Sequence, residues 1–336
     1  MKKIMFYWAL FYIGGTEAAI LNLIKKLKGY DIYIGYRDET SDKEMLKNIS
    51  KYAKVVNIND PVEEEFDYLV TCSTHYHQVE QVSKIKRKKT ILWVHNLVKL
   101  ETSVLADENL AKNLYHVVTV SKTVMNALIS RYPHLEKITS TINNPLDIEE
   151  IKNNSLSDYQ LELSETLNLV TVSRLAESKG FSRMKHLARC FKEKNISFKW
   201  FVVGHSYYED EARKIIESFD EFKDNFCWLG FMSNPHQIVR KCDYSVLLSD
   251  EETWGLVLTE AMILGVPCIA TDFDVVYEQI TDGENGIILS RDDLSTYENR
   301  IMDILSNKEK YRKKVENYRF DNDLIIKSWD NLFSDK

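Results

Sequence analysis

Residues 244–271 read YSVLLSDEETWGLVLTEAMILGVPCIAT. Two short apolar and aromatic runs, Tyr244–Leu248 and Cys268–Thr271, flank a polar loop and an apolar segment of helical length that begins near Leu256. Such runs alternating with helical segments predict parallel strands joined by crossover helices. The pattern extends in both directions. In the back half strands are expected at Leu167–Ser173, Lys199–Val203, Phe226–Leu229 and Ile287–Leu289, besides the two just quoted. In the front half they are expected at Ile4–Trp8, Ile32–Tyr36, Val55–Ile58, Tyr68–Thr71, Thr90–Val94 and Val117–Val120. Helices are expected there at Glu17–Leu27, Lys43–Lys51, His77–Ile85 and Lys122–Arg131. The polar stretch Asn143–Glu165, opening on Asn-Asn-Pro, reads as a linker. The expected fold is therefore α/β: two Rossmann-like, doubly wound domains facing across a cleft, with ligand at the carboxyl ends of the strands.

Composition excludes several classes. The chain has 336 residues, 44% hydrophobic and 28% charged, with Gly 11 and Pro 5, which excludes disordered and fibrous proteins. Its longest apolar runs, Ile4–Ile13 and Leu256–Ala270, fall short of the ~18–20 residues of a membrane span, and the second contains Glu260. The amino-terminal MKKIMFYWALFYIGGTE runs into Gly-Gly-Thr-Glu where a signal peptide would show a small-residue cleavage site, so it is expected to be a buried strand and loop of a cytoplasmic protein. Five scattered cysteines (72, 190, 227, 242, 268) form no C-x-x-C pair and are expected to be reduced core residues. His75 and His77 lack a third ligand nearby, so no metal site is assigned.

The net charge of -7 is unevenly spread. Residues 1–145 carry 20 Lys/Arg against 16 Asp/Glu, leaving 24 against 35 for residues 146–336, or +4 and -11. Basic clusters at Lys25, Lys26, Lys28 and at Lys84, Lys86, Arg87, Lys88, Lys89 suit either a solvated helix face or an anionic membrane surface. The acidic total and the lack of any nucleic-acid-binding signature argue against nucleic acid.

Two carboxylates stand out in the opening stretch. Glu252 falls in the strand-to-helix loop, and Glu260 inside the following apolar helix, where a carboxylate without a partner is costly. A sugar or ribose diol suits such a carboxylate, and so does a helix cap or a neighbouring backbone group. A second constellation is Val170-Thr171-Val172-Ser173-Arg174-Leu175-Ala176-Glu177-Ser178-Lys179-Gly180-Phe181, in which a strand ends in a loop with two cations and opens a helix. Two cations with helix N-terminal amides make a diphosphate site that stabilises a leaving anion; a surface salt bridge of the loop with Glu177 is the alternative. Gly14 and Gly15 follow the first expected strand, where glycines permit close backbone approach. His95 ends another strand, in Leu92-Trp93-Val94-His95-Asn96.

The segment E-T-W-G-L-V-L-T-E-A-M resembles the E-x7-E region of retaining, nucleotide-sugar-dependent glycosyltransferases of family 4, which have the GT-B fold; Arg174 to Gly180 resembles that family's R-x4-K-G. Thr253 and Trp254 stand where the family usually has Gly and Phe. The resemblance implies that Glu252 contacts the transferred sugar, Glu260 the nucleotide ribose, and Arg174 and Lys179 the diphosphate. It places His95 near the reacting sugar and the Gly14–Gly15 loop against the donor phosphates. Smaller matches at Gly204, at Gly230 with Phe231, at Gly255 and Leu256 beside Trp254, at Cys242-Asp243-Tyr244 and at Glu278 with Asp282–Gly286 extend it. The implied protein is a metal-independent retaining hexosyltransferase without a cofactor, moving a hexose from a UDP-sugar to a glycan or lipid-linked saccharide in bacterial surface polysaccharide synthesis. Residues 1–145, with a terminal helix at about 320–336, would bind acceptor, and residues 146–319 donor, closing about the linker. A non-catalytic sugar-nucleotide-binding subunit is the rival from another class.

Overall fold

The computed structural model describes every residue except 13, 38–39, 73–81, 97–104, 106–107, 207 and 335–336. The chain divides into two compact units: unit 1, Met1–Leu146 with Asp321–Lys336, and unit 2, Asp147–Phe320.

Unit 1 is built on a seven-stranded parallel sheet of order β3-β2-β1-β4-β5-β6-β7. Its strands are β1 (Lys2–Tyr7), β2 (Tyr30–Tyr36), β3 (Lys54–Asn57), β4 (Phe66–Cys72), β5 (Arg87–Val94), β6 (Leu114–Thr119) and β7 (Thr139–Thr141). Buried parallel strands have no solvated face, which is why β4 and β5 read as near-continuous apolar runs at their carboxyl ends. The short β7 was not expected: its three residues, Thr-Ser-Thr, are polar and half-buried at the sheet edge. Helix Asn322–Ser334 lays Trp329 and Phe333 on this sheet, with Trp329 centred 4.7 Å from Trp93 and 6.4 Å from Phe6. Lys2 Nζ donates to the Phe333 carbonyl at 2.8 Å and Tyr30 Oη to Asp330 at 2.6 Å, tying the helix to the starts of β1 and β2.

Unit 2 holds a six-stranded parallel sheet of order β10-β9-β8-β11-β12-β13. The strands are β8 (Leu167–Val172), β9 (Phe198–Val203), β10 (Phe226–Gly230), β11 (Tyr244–Leu247), β12 (Cys268–Thr271) and β13 (Gly286–Leu289). Alternate residues feed two cores: Leu169, Trp200, Val202 and Val246 on one face, Val170, Phe201, Val203 and Leu247 on the other. Strand order reverses between β8 and β11, and ligands of such sheets bind in the crevice at this point.

Asn143–Glu165 is more than a linker. Asp147 caps helix Ile148–Ser155, its carboxylate accepting from the Glu150 amide at 3.3 Å. The Asn-Pro and Ser-rich signals on either side mark turns, but an Asp followed by spaced apolar residues is a helix start. Of the expected helix His77–Ile85, residues 77–81 lie outside the described residues, as do His75 and His77; Val82–Lys84 are helical. All five cysteines are free, and four are buried.

Candidate active site

In unit 2 the loops after β8 and β11 meet at the switch point. Gly180, with φ +75°, packs so closely on the end of β11 that a Cβ there would lie 1.8 Å from the Leu248 carbonyl oxygen. The Asp250 amide donates to the Ser178 carbonyl at 2.9 Å, stitching the two loops together. This contact brings Lys179 Nζ to 2.7 Å from Glu252 Oε1, an ion pair whose side chains are only 17% and 16% exposed. Ser249 Oγ donates to the same oxygen at 2.9 Å, and Thr271 Oγ1 holds the Ser249 carbonyl at 2.6 Å. Lys179 thus pairs with Glu252 and not with its loop neighbour Glu177. Arg174 stands exposed at the start of the same loop. Arg183 pairs with Asp250, and Arg291 donates to the Asp250 carbonyl at 2.7 Å, so the acidic loop is clamped from two sides.

Gly255, at φ +81°, occupies the left-handed region as the N-cap of helix Leu256–Ile263. The Trp254 side chain turns into the core: its indole N–H donates to Thr259 Oγ1 at 3.0 Å, and that hydroxyl donates to Gln279 Oε1 at 2.8 Å. Gln279 returns a hydrogen bond to the Trp254 carbonyl. Trp254 therefore offers the site its backbone, while its ring fixes the loop. Glu260 projects from the next turns, and Oε2 lies 3.3 Å from His236 Nε2. No sequence signal marked His236, a lone histidine on the short helix His236–Val239.

At the neighbouring strand ends, Gly204 (φ +149°) passes so near β8 that a Cβ would meet the Ser173 carbonyl oxygen at 1.8 Å, and its amide donates to the Gly230 carbonyl at 2.8 Å. Phe231 is 48% exposed and stacks edge-on against His205, with centroids 5.4 Å apart. Two smaller matches serve the scaffold. Asp243 accepts from the Asn168 amide at 2.8 Å at the opposite, amino edge of the sheet. Asp282 accepts from the Ile288 amide and pairs with Arg300 through both oxygens.

In unit 1, β1 leads to Gly14, the N-cap of helix Gly15–Lys26, in extended backbone conformation with φ -155°. A Cβ at Gly14 would come within 2.7 Å of Glu17 Oε2. His95 follows β5 and is 8% exposed, edge-on to Trp8 at 5.5 Å and tilted over Trp93 at 4.5 Å. Burial drives its pKa down to about 3, so the ring is an uncharged imidazole at neutral pH. Its Nε2 is buried without a hydrogen-bond partner among the described residues.

Two parallel doubly wound sheets in one chain define the GT-B architecture of glycosyltransferases. HepE of Anabaena, solved in complex with UDP-glucose, superposes over 100% of both chains with TM-score 0.81 and 19% identity. Residues 157–320 match the family described as "Glycosyl transferases group 1". N-acetyl-alpha-D-glucosaminyl L-malate synthase of Bacillus anthracis is 25% identical over 186 residues, 53% of this chain and 48% of that one. The capsular polysaccharide biosynthesis glycosyltransferase CapM of Staphylococcus aureus is 22% identical over 193 residues, 55% of this chain and 50% of its own. The chain thus spans about half the length of these curated relatives.

Proposed function

We propose that the protein is a metal-independent, configuration-retaining glycosyltransferase that moves a hexose from a UDP-sugar to a hydroxyl of a glycan or lipid-linked saccharide in bacterial surface polysaccharide synthesis. The observation that carries this is the Lys179–Glu252 pair at the β8/β11 switch point, with Glu260 farther along the same loop and helix. A half-buried lysine and an exposed arginine supply the positive charge a departing diphosphate needs, in the place a divalent cation takes elsewhere. When the diphosphate draws Lys179, Glu252 is released from its ion pair to orient the sugar, still held by Ser249. Glu260 accepts from the ribose diol, and the backbone at Gly204, Gly230, Gly255 and Leu256, with the Phe231 ring, frames the nucleotide. In unit 1 His95 acts as an uncharged hydrogen-bonding group and not as a proton-carrying acid, and the Gly14–Gly15 loop lends its backbone. No side chain is assigned as general base; a donor phosphate oxygen takes the acceptor proton on the face the diphosphate leaves.

The names of HepE's ligand and of CapM support the donor and the pathway. The acceptor domain is unit 1, and its Lys25, Lys26 and Lys28 cluster rests on anionic lipid. The second basic cluster is partly committed internally: Lys88 pairs with Asp67 at 2.8 Å, and Arg87 donates to the Val82 and Ile85 carbonyls. Among the described residues no helix is long and apolar enough to cross a membrane, so contact would be peripheral. Calorimetry with UDP, GDP, ADP and TDP and their sugars in EDTA tests the donor and the metal independence together. Selective binding of a UDP species supports both; binding that appears only when magnesium or manganese is restored overturns the second. The anomeric configuration of the product, read by NMR, tests retention, and co-sedimentation with anionic vesicles at low salt tests the membrane contact.

A further inference from the structure

The partner of Glu260 is a histidine that plays no part in the mechanism above. His236 Nε2 lies 3.3 Å from Glu260 Oε2, with side chains 13% and 23% exposed. Its Nδ1 is buried and has no hydrogen-bond partner among the described residues. A hydrogen on that buried nitrogen would be left unsatisfied, so the ring carries its hydrogen on Nε2 and donates to the carboxylate. Glu260 Oε1 has no hydrogen-bond partner among the described residues. The carboxylate is therefore held by one oxygen and open at the other.

We propose that His236 is a positioning residue for Glu260: by holding Oε2 it fixes the rotation of the carboxylate so that the group meets a vicinal ribose diol, and it thereby sets the preference for ribonucleotide over deoxyribonucleotide donors. This rests on the assignment of Glu260 to the ribose. Without the donated hydrogen bond the carboxylate rotates about its terminal torsion, which is broad and weakly restricted, and a diol then gains less from it. The loop leading to His236 is anchored separately, since Asn234 Nδ2 donates to the Asn154 carbonyl at 2.8 Å. A side-chain change at 236 therefore leaves the segment's attachment in place.

The test measures, by calorimetry, UDP against 2′-deoxy-UDP, with the GDP and ADP pairs alongside, for wild type, Glu260→Ala, His236→Ala and His236→Gln. The readout is the ribo-to-deoxy affinity ratio, which a general loss of packing would not change selectively. Wild type is expected to prefer one ribonucleotide roughly tenfold or more, as one charge-assisted hydrogen bond provides. Glu260→Ala should abolish the preference and His236→Ala should reduce it severalfold. His236→Gln, whose amide can donate from near the Nε2 position, should restore it. A preference unchanged by Glu260→Ala, or absent in wild type for all three bases, overturns the ribose assignment and the inference with it. A preference lost in Glu260→Ala but unchanged in a folded His236→Ala overturns the inference alone. So does an equal loss in His236→Ala and His236→Gln, since the Gln amide keeps a donor and the ratio would then not follow the donated hydrogen bond.

Discussion

At the carboxyl edge of unit 2's sheet polar and charged side chains come in pairs: Lys179 with Glu252, Arg183 with Asp250, and the His236 imidazole with the Glu260 carboxylate. At the carboxyl edge of β5 in unit 1, His95 instead sits uncharged between the rings of Trp8 and Trp93, and Trp93 in turn packs on Trp329. Both edges belong to parallel doubly wound sheets, so the difference lies in the loops and not in the scaffold. The charged edge holds prepaired groups, which on the proposed function a diphosphate draws apart. The aromatic edge buries an uncharged imidazole against apolar rings. Substitutions on the two sides should accordingly separate stability from ligand binding.

The largest effect is expected from Trp329→Ala. Removing this fully buried indole from beside Phe6, Trp93 and Phe333 should lower unfolding stability by about 3–5 kcal/mol, read by urea denaturation. Nucleotide affinity should be unchanged while the chain stays folded; a parallel loss of affinity would break the separation. Next comes Lys179→Ala, which should cut transfer about 100-fold in an initial-rate assay, with a stability change of at most ~1 kcal/mol. A normal rate would remove Lys179 from the diphosphate site.

The third effect is one of pH. The folded His95 has its pKa lowered to about 3 by burial, against 6.5 for an ordinary histidine. Between these values the unfolded chain takes up a proton that the folded chain refuses. Stability contributed by the uncharged ring is therefore complete above pH 6.5 and declines as pH falls towards 3. At pH 5 the loss relative to pH 7 is about 2 kcal/mol, and His95→Gln should remove that part of the slope in denaturation curves taken at the two values. An unchanged slope would mean that His95 is solvated. The smallest effect is expected from Gln279→Ala, which breaks the chain from Trp254 through Thr259. Stability should fall by about 1–2 kcal/mol, and the tryptophan fluorescence of the ligand-free protein should shift as the Trp254 indole loses its fixed setting.

The strands were legible because a strand buried on both faces is apolar along nearly its whole length, as residues 200–203 and 268–270 are. β7 was illegible because a half-buried edge strand of three polar residues looks like a turn. The loops alone left structural salt bridges and caps open, but Lys179 and Glu252 could be named because each stands in a strand-to-helix loop whose residues resemble a family motif. That they bond each other could not, because it follows from the absence of a side chain at Gly180, which lets the loops touch. Trp254 was legible as a position but not as a direction: the ring faces the core because Thr259 receives its N–H and Gln279, 25 residues away, accepts from that hydroxyl in turn and donates to the Trp254 carbonyl. His236 left no trace, since a single residue on a four-residue helix has no periodicity.

Helix Asn322–Ser334 completes the aromatic core of a unit whose other strands all precede residue 142. Unit 2, by contrast, is one uninterrupted stretch of chain. On a ribosome, which delivers residues in order, all six strands of the second sheet emerge before the helix that closes the first. The unit begun first is thus the one finished last, and in the interval the sheet surface around Phe6 and Trp93 lacks its cover. That surface is where a holding chaperone, or an aggregating neighbour, would find the nascent protein.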